Sequence, residues 1–296
     1  MRVLVTGASG HIGSAVVPEL IRAGHEVTGL ARSDAAAATV RALGAGVRRG
    51  DTGDLGVLRE AAASADAIVH LAFNHDVMIS GDMAGAAAMD LATVGAFGDA
   101  LAGTGKAYTG VGLGNVATAN PRSAVAAEVA GFAGRGIRSV LVAIPPVVHS
   151  ARDRAGFIPT LIQIARAKGV SGYIGDGASG WPAVHTLDLA ALYRLALEQA
   201  PAGTQLIAAA EEGIAVREIA ETIARHLGVP AVSIPAEQAT AHFGPFGAIM
   251  TMGLPPLSSA STRELLDWKP EHPGLLADLD EGHYFASAMG LCPPSL

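Results

Sequence analysis

Val3-Leu4-Val5-Thr6-Gly7-Ala8-Ser9-Gly10-His11-Ile12-Gly13 is the stretch that decides the fold. An apolar run gives way to a glycine turn, and the turn to a helical pattern with Ile12, Val16 and Leu20 on one face. Gly24 stops that helix. Pro18 inside it is expected to kink or weaken it, because proline removes one backbone donor. Strand, glycine turn and helix in this order form a cradle for a dinucleotide pyrophosphate. Gly7 allows the sharp turn, Gly10 lets the backbone approach the diphosphate without a Cβ in the way, and Gly13 lets the helix pack on the strand. The helix N-terminus adds N–H groups and a partial positive charge. Gly7, Ser9, Gly10, His11, Ile12 and Gly13 are therefore the expected pyrophosphate contacts.

Outward from the turn, strand-like and helix-like stretches alternate. Glu26–Leu30, Val47–Arg49, Ala67–Ala72, Ala107–Thr109 and Ile137–Ile144 read as strands. Ala35–Leu43, Leu55–Ala63, Ala84–Leu101 and Arg122–Gly134 read as helices between them. This alternation predicts an α/β protein with a Rossmann-type, doubly wound parallel sheet covered on both faces. From about Ser150 the pattern loosens. Helices are expected over Phe157–Ala167, Leu187–Glu198 and Val216–Leu227, and short strands over Tyr173-Ile174, Trp181–Val184 and Gln205–Ala209. The expected organisation is a dinucleotide-binding core over residues 1–150. Residues 151–296 would form a sheet extension and a small C-terminal substrate lobe, packed as one unit with the core.

Half of the 296 residues are hydrophobic, enough for a sizeable core. The net charge of −7 argues against a nucleic-acid binder, which would present a basic face. A single cysteine, Cys292, rules out an internal disulfide framework and fits a reducing compartment, with the thiol itself inert at or near the surface. Arg2 and the first strand follow Met1 directly, where a targeting segment would place a long apolar stretch. Charges or glycines interrupt every long apolar run, so no membrane span is expected. The expectation is a soluble cytoplasmic protein that acts on a small molecule.

With Thr6 in front of it, the Thr6–Gly13 segment resembles the fingerprint of the extended short-chain dehydrogenase/reductase family, which includes nucleotide-sugar epimerases. Further segments resemble the same family: Gly50-Asp51 after the third strand, His70-Leu71-Ala72 after the fourth, Pro145-Pro146-Val147-Val148-His149 after the sixth, and Trp181–Asp188 late in the chain. The resemblance implies that Asp51 and Thr52 meet the adenine side, that Leu71 and Ala72 pack on the cofactor, and that Pro145 and Val148 belong to a nicotinamide-side loop. It also implies a homodimer seam along the helices Ala84–Leu101 and Arg122–Gly134, although their small residues would equally suit an intramolecular face. Cofactor choice is read where the second strand ends, in Gly29-Leu30-Ala31-Arg32-Ser33. An NAD site wants an acid there, whereas Arg32 can pair with a 2′-phosphate and Ser33 can donate to it. Asp34 just beyond is the counter-indication. The expectation is NADP(H) in preference to NAD(H).

The family resembled uses Tyr-x-x-x-Lys with a nearby hydroxyl: the tyrosine exchanges a proton with the substrate oxygen, the lysine lowers the tyrosine pKa and holds the nicotinamide ribose, and the hydroxyl residue positions the carbonyl. None of Tyr108, Tyr173, Tyr193 or Tyr284 has a lysine in that position. If Glu128 matches the glutamate that often follows the lysine, Asn120 stands at the tyrosine position and Ala124 at the lysine position. The acid/base dyad is then missing. Thr109 is the candidate hydroxyl residue, and also an ordinary β-former. His149 and Tyr173 are candidate proton donors, with His185 a further one; each could equally be a packed residue, and bound water could also protonate a reduced substrate. His149, Phe157 and Trp181 are candidate substrate contacts, the aromatic residues lining a cleft for a small apolar substrate or filling the core. His70 and His75-Asp76 lack a compact ligand pattern, so no metal is expected. Three functions stay open: an NADPH-dependent reductase without the dyad, a non-redox NADP(H)-binding sensor, and an isomerase or cyclase on the same scaffold.

Overall fold

The computed structural model describes residues 1–113 and 120–286, so Cys292 lies outside the described residues. The chain divides into two units. The first comprises residues 1–144, 189–208 and 260–269, and the second residues 145–188, 209–259 and 270–296. The chain therefore passes between units several times, where the sequence suggests a single boundary near 150.

The first unit is built on β1 (Arg2–Thr6), α1 (Gly13–Arg22), β2 (Glu26–Ala31), α2 (Asp34–Ala42), β3 (Gly46–Arg49), α3 (Leu55–Ser64), β4 (Ala67–His70), α4 (His75–Ile79), α5 (Met83–Leu101), β5 (Ala107–Gly112), α6 (Ser123–Gly131) and β6 (Arg138–Ala143). With the strand Thr204–Ile207 they make a seven-stranded sheet, ordered Thr204–Ile207, β6, β5, β4, β1, β2, β3. Every pairing in it is parallel. Parallel strands need crossovers, and helices covering both faces explain why β1 and β4 are apolar runs with no alternation. Val5, Ile68 and Val69 are fully buried. α1 runs unbroken through Pro18. The buried side chains of Val16, Val17 and Leu20 hold that helix in place in spite of the missing donor. β5 is longer than its sequence suggests, because Gly110-Val111-Gly112 continue to pair with Leu141–Ala143.

Strand order reverses between β1 and β4, so the crevice at the carboxyl ends of these strands is the place where an open α/β sheet takes its ligand. Thr6 and His70 are paired there across the two strands.

The second unit has a three-stranded sheet. Val147–His149 lies parallel to Gly180–His185, which pairs antiparallel with Glu211–Ala215. A second pair, Ser171–Ile174 with Ala231–Ile234, is parallel. Val147–His149, Glu211–Ala215 and Ala231–Ile234 are strands that periodicity passes over, being too short to carry an alternation. Helices Phe157–Lys168, Val216–Leu227 and Leu275–Asp280 bury Ile158, Ile162, Ile219, Ile223, Leu275 and Leu279 in this unit's core. Among the described residues, no helix is long and apolar enough to cross a membrane.

Candidate functional site

The glycine turn has the geometry its spacing predicts. Gly7 has φ +68°, and a Cβ on it would stand 2.8 Å from the Ala72 nitrogen, so the turn is closed tightly on the exit of β4. A Cβ on Gly13 would stand 2.1 Å from the Gly7 oxygen, which leaves glycine as the one residue that fits. A Cβ on Gly10 would meet only the Gly7 oxygen, at 3.2 Å, leaving its remaining side open. The N-cap residue of α1, Ile12, has no side-chain group that could cap the first turn. Ser14 donates its hydroxyl to the His11 carbonyl, which ties the turn between Ser9 and Ile12 to the helix. This is an anion cradle made of backbone.

Behind the turn runs a hydrogen-bonded chain. The Leu71 and Ala72 N–H groups both donate to Thr6 Oγ1, at 3.2 Å each. The Thr6 hydroxyl lies 2.6 Å from His70 Nδ1, and His70 Nε2 lies 2.9 Å from Asp90 Oδ1. Arg122 Nη2 donates to Asp90 Oδ2 at 3.4 Å, and its guanidinium carbon sits 4.4 Å over the Phe73 ring. Thr52, His70, Ala72, Phe73, Asn74, Met89, Asp90 and Thr93 line a small cavity beside this chain. Thr93 holds the Thr52 carbonyl at 2.9 Å. Asp51 is exposed and turns its carboxylate onto the Gly53 N–H at 3.0 Å.

At the end of β2, Arg32 reaches Asp76 at 3.3 Å, with both side chains largely in solvent. The Ser33 oxygen accepts from the Ala36 N–H and caps α2. Asp34 pairs at 3.2 Å with Arg49, the residue that lies opposite Ala31 where β3 ends beside β2. Two guanidiniums therefore stand at this corner, each paired with an exposed acid.

Thr109 lies inside β5, not at its end as the sequence suggests, because the strand continues to Gly112. It is buried between Val69 and Val140, and its hydroxyl has no hydrogen-bond partner among the described residues. Asn120 Oδ1 accepts from the Arg122 N–H at 3.0 Å, and Ser123 N–H donates to the Asn120 carbonyl, so Asn120 shapes the entry to α6. Ala124 follows in the first turn, and Glu128 pairs with Arg135 at 3.1 Å. Asp90, Phe73 and Arg122 escape sequence reasoning. Arg122 falls inside the Asn120–Ala124 window, but a pattern defined by tyrosine and lysine passes over an arginine.

The remaining candidates belong to the second unit. Pro145 is buried, and Val148 is half-buried and paired with Val184. His149 is wholly enclosed, with Nδ1 2.9 Å from Asp278 Oδ2 and Nε2 without a hydrogen-bond partner among the described residues. Its ring meets His185 at 5.4 Å, and burial first, then the neighbouring His149, lowers the His185 pKa to about 4. Tyr173 is half-buried, with the Arg217 guanidinium 5.8 Å from its ring. Trp181 is buried in the core, where it packs with Phe157 at 5.4 Å and Phe246 at 6.2 Å. Core packing, the second of the two readings of these aromatics, describes Trp181: an enclosed indole has no surface left to line a cleft. Two groups of would-be metal ligands also occur, His185–Asp188–His272 and Asp278–Glu281–His283. In the first, Asp188 already accepts from the Glu271 and His272 N–H groups and from His272 Nδ1.

Residues 3–90 match the NAD dependent epimerase/dehydratase family. The chain is 40% identical over 300 residues to the protein C2A9.02 of Schizosaccharomyces pombe, covering 96% of this chain and 100% of the relative. It is 40% identical over 296 residues to the protein YLL056C of Saccharomyces cerevisiae, covering 94% and 98%. In fold it is similar to a UDP-glucose 4-epimerase of Thermotoga maritima solved with UDP-glucose, with a TM-score of 0.76, 19% identity and coverage of 96% and 98%.

Proposed function

Because the chain belongs to the NAD dependent epimerase/dehydratase family, we propose that it is an NADP(H)-dependent oxidoreductase that reduces a carbonyl or related group of a small substrate without a Tyr/Lys dyad. The observation that carries this reading is the backbone cradle at the point where strand order reverses, closed by Gly7 on Ala72 and by Gly13 on Gly7. The residues present fit a nicotinamide dinucleotide. Gly7, Ser9, Gly10, His11, Ile12 and Gly13 would hold the pyrophosphate. Asp51 and Thr52 would flank the adenine, and Leu71 and Ala72 would form the wall beside it. Bound there, the group supplies hydride chemistry.

The preference for the phosphorylated cofactor rests on Arg32 and Arg49. Both guanidiniums are largely exposed and engaged with exposed acids, so exchanging those partners for a 2′-phosphate costs little. The test is fluorescence titration of the protein with NADPH and NADH, followed by NADPH oxidation across a panel of aldehydes, ketones and enones. The reading expects tighter binding of NADPH and turnover with part of the panel. Tighter binding of NADH overturns the cofactor preference. Binding without turnover favours the second reading, a dinucleotide-binding sensor, which the missing dyad at Asn120 and Ala124 supports.

A further inference from the structure

We propose that Arg122 takes over the task of the missing lysine and donates, through its guanidinium, to the ribose on the nicotinamide side of the bound dinucleotide. This inference rests on the reading of the site as a nicotinamide-dinucleotide site. The lysines themselves are placed elsewhere. Lys106 precedes β5, at the end of the sheet opposite the glycine turn, and donates to the Ala63 carbonyl. Lys269 pairs with Asp267, and Lys168 donates to the Ala241 carbonyl in the second unit. Arg122 stands immediately before α6, between the positions where the resembled family has its tyrosine and lysine.

Its side chain is fixed rather than solvated. Thr6 Oγ1 already accepts from the Leu71 and Ala72 N–H groups, so its own proton goes to His70 Nδ1. His70 then carries its proton on Nε2 and donates it to Asp90 Oδ1. Arg122 donates to the other oxygen, Oδ2, of the same buried carboxylate. The chain thus ends in a guanidinium clamped between Asp90 and the face of Phe73. Phe73 directly follows Ala72, the residue against which the glycine turn closes. The clamp therefore places a permanent cation beside the cradle.

The guanidinium also has unused capacity. Arg122 Nε is buried and has no hydrogen-bond partner among the described residues. A guanidinium has five N–H donors, and a buried one without an acceptor calls for a ligand oxygen. Ribose hydroxyl oxygens, which a lysine would otherwise hold, supply acceptors of the right kind.

The experiment compares wild type, Arg122→Met, Arg122→Lys and Asp90→Asn. Each is titrated with NADPH, with NADH and with ADP, which lacks the nicotinamide and its ribose. A thermal unfolding curve for each variant reports folding. The expected result is that Arg122→Met weakens the dinucleotides by about tenfold and leaves ADP within about twofold. Arg122→Lys should recover part of the loss, and Asp90→Asn should show part of it through the loosened clamp. Equal weakening of dinucleotide and ADP, or no change in either, overturns the inference while the dinucleotide reading stands. If Arg122→Met does not fold, the Arg122→Lys and Asp90→Asn titrations decide by the same criterion. A wild-type protein that binds neither dinucleotide overturns both.

Discussion

Thr6 Oγ1 and His70 Nδ1 stand 2.6 Å apart at the carboxyl ends of adjacent parallel strands, and this contact sets the tautomer of the histidine. The threonine accepts two backbone N–H groups and so has only its proton left to give. Thr6→Val keeps the shape but removes both the acceptor and the donor. Two backbone donors and one ring nitrogen then lose their partner. Destabilisation of about 1–3 kcal/mol is expected from the unmet groups, with Thr6→Ser close to wild type. Nitrogen NMR of His70 should show the proton on Nε2 in wild type. A proton on Nδ1 would contradict the direction assigned to the whole chain.

Gly13 and Gly10 are separable by a single methyl group. Gly13→Ala forces a Cβ to within 2.1 Å of the Gly7 oxygen, so the turn must open. A loss of stability of about 1–3 kcal/mol is expected, together with loss of dinucleotide binding. Gly10→Ala meets only one atom, at 3.2 Å, so the fold should hold while the methyl group occupies the space a diphosphate needs. Urea unfolding and dinucleotide titration on both variants check this. Gly10→Ala binding as wild type would place the diphosphate elsewhere.

Arg32 should govern cofactor choice. Its guanidinium is exposed and pairs with the exposed Asp76, while Arg49 next to it holds Asp34. Arg32→Glu puts a carboxylate where an NAD ribose would donate and where a 2′-phosphate would be repelled. Affinity for NADPH should fall by about tenfold or more while that for NADH is kept or improved. Parallel titrations with the two cofactors measure the ratio, and an unchanged ratio would remove Arg32 from the site.

The parts of the molecule that local sequence specifies were legible. The strand, the glycine turn and the first helix occupy consecutive residues, and each glycine answers a local steric demand, as the close approach of Gly13 to Gly7 shows. Long apolar runs such as Ile137–Ile144 announce buried strands for the same reason. The contacts that shape the site are of another kind. Asp90 and Arg122 meet across two helices, and His149 meets Asp278 from the far end of the chain. No periodicity records such pairings, because they are decided by packing. Thr109 shows the intermediate case. Its strand was expected, but where the strand stops depends on pairing with β6, and that moved the residue from an edge to the interior.

Asp153 gives the second unit a pH dependence of predictable sign. It is buried, with the Gly156 N–H 2.8 Å from Oδ1 and the Tyr284 hydroxyl 3.4 Å from Oδ2. Burial pushes its carboxyl from 3.8 up to about 6, against the partial relief those hydrogen bonds give the charged form. A carboxyl that holds its proton more tightly when folded contributes stability in full below its unfolded pKa. That contribution is lost as the pH rises through the folded value, here between about 4 and about 6. The difference corresponds to on the order of 3 kcal/mol. Asp153→Asn imitates the protonated group and keeps an oxygen for Gly156. The variant should therefore match wild type near pH 4 and exceed it in thermal midpoint by a margin that grows up to about pH 7 and then levels. Taking the difference between the two proteins at each pH cancels groups that titrate alike in both, His185 among them, whose low pKa acts in the opposite direction by favouring the fold above its unfolded value. A margin that is flat across this range would mean that the Asp153 carboxyl titrates in the folded protein as it does in the unfolded chain, and one that shrinks as the pH rises that folding lowers its pKa; either would contradict the upward shift.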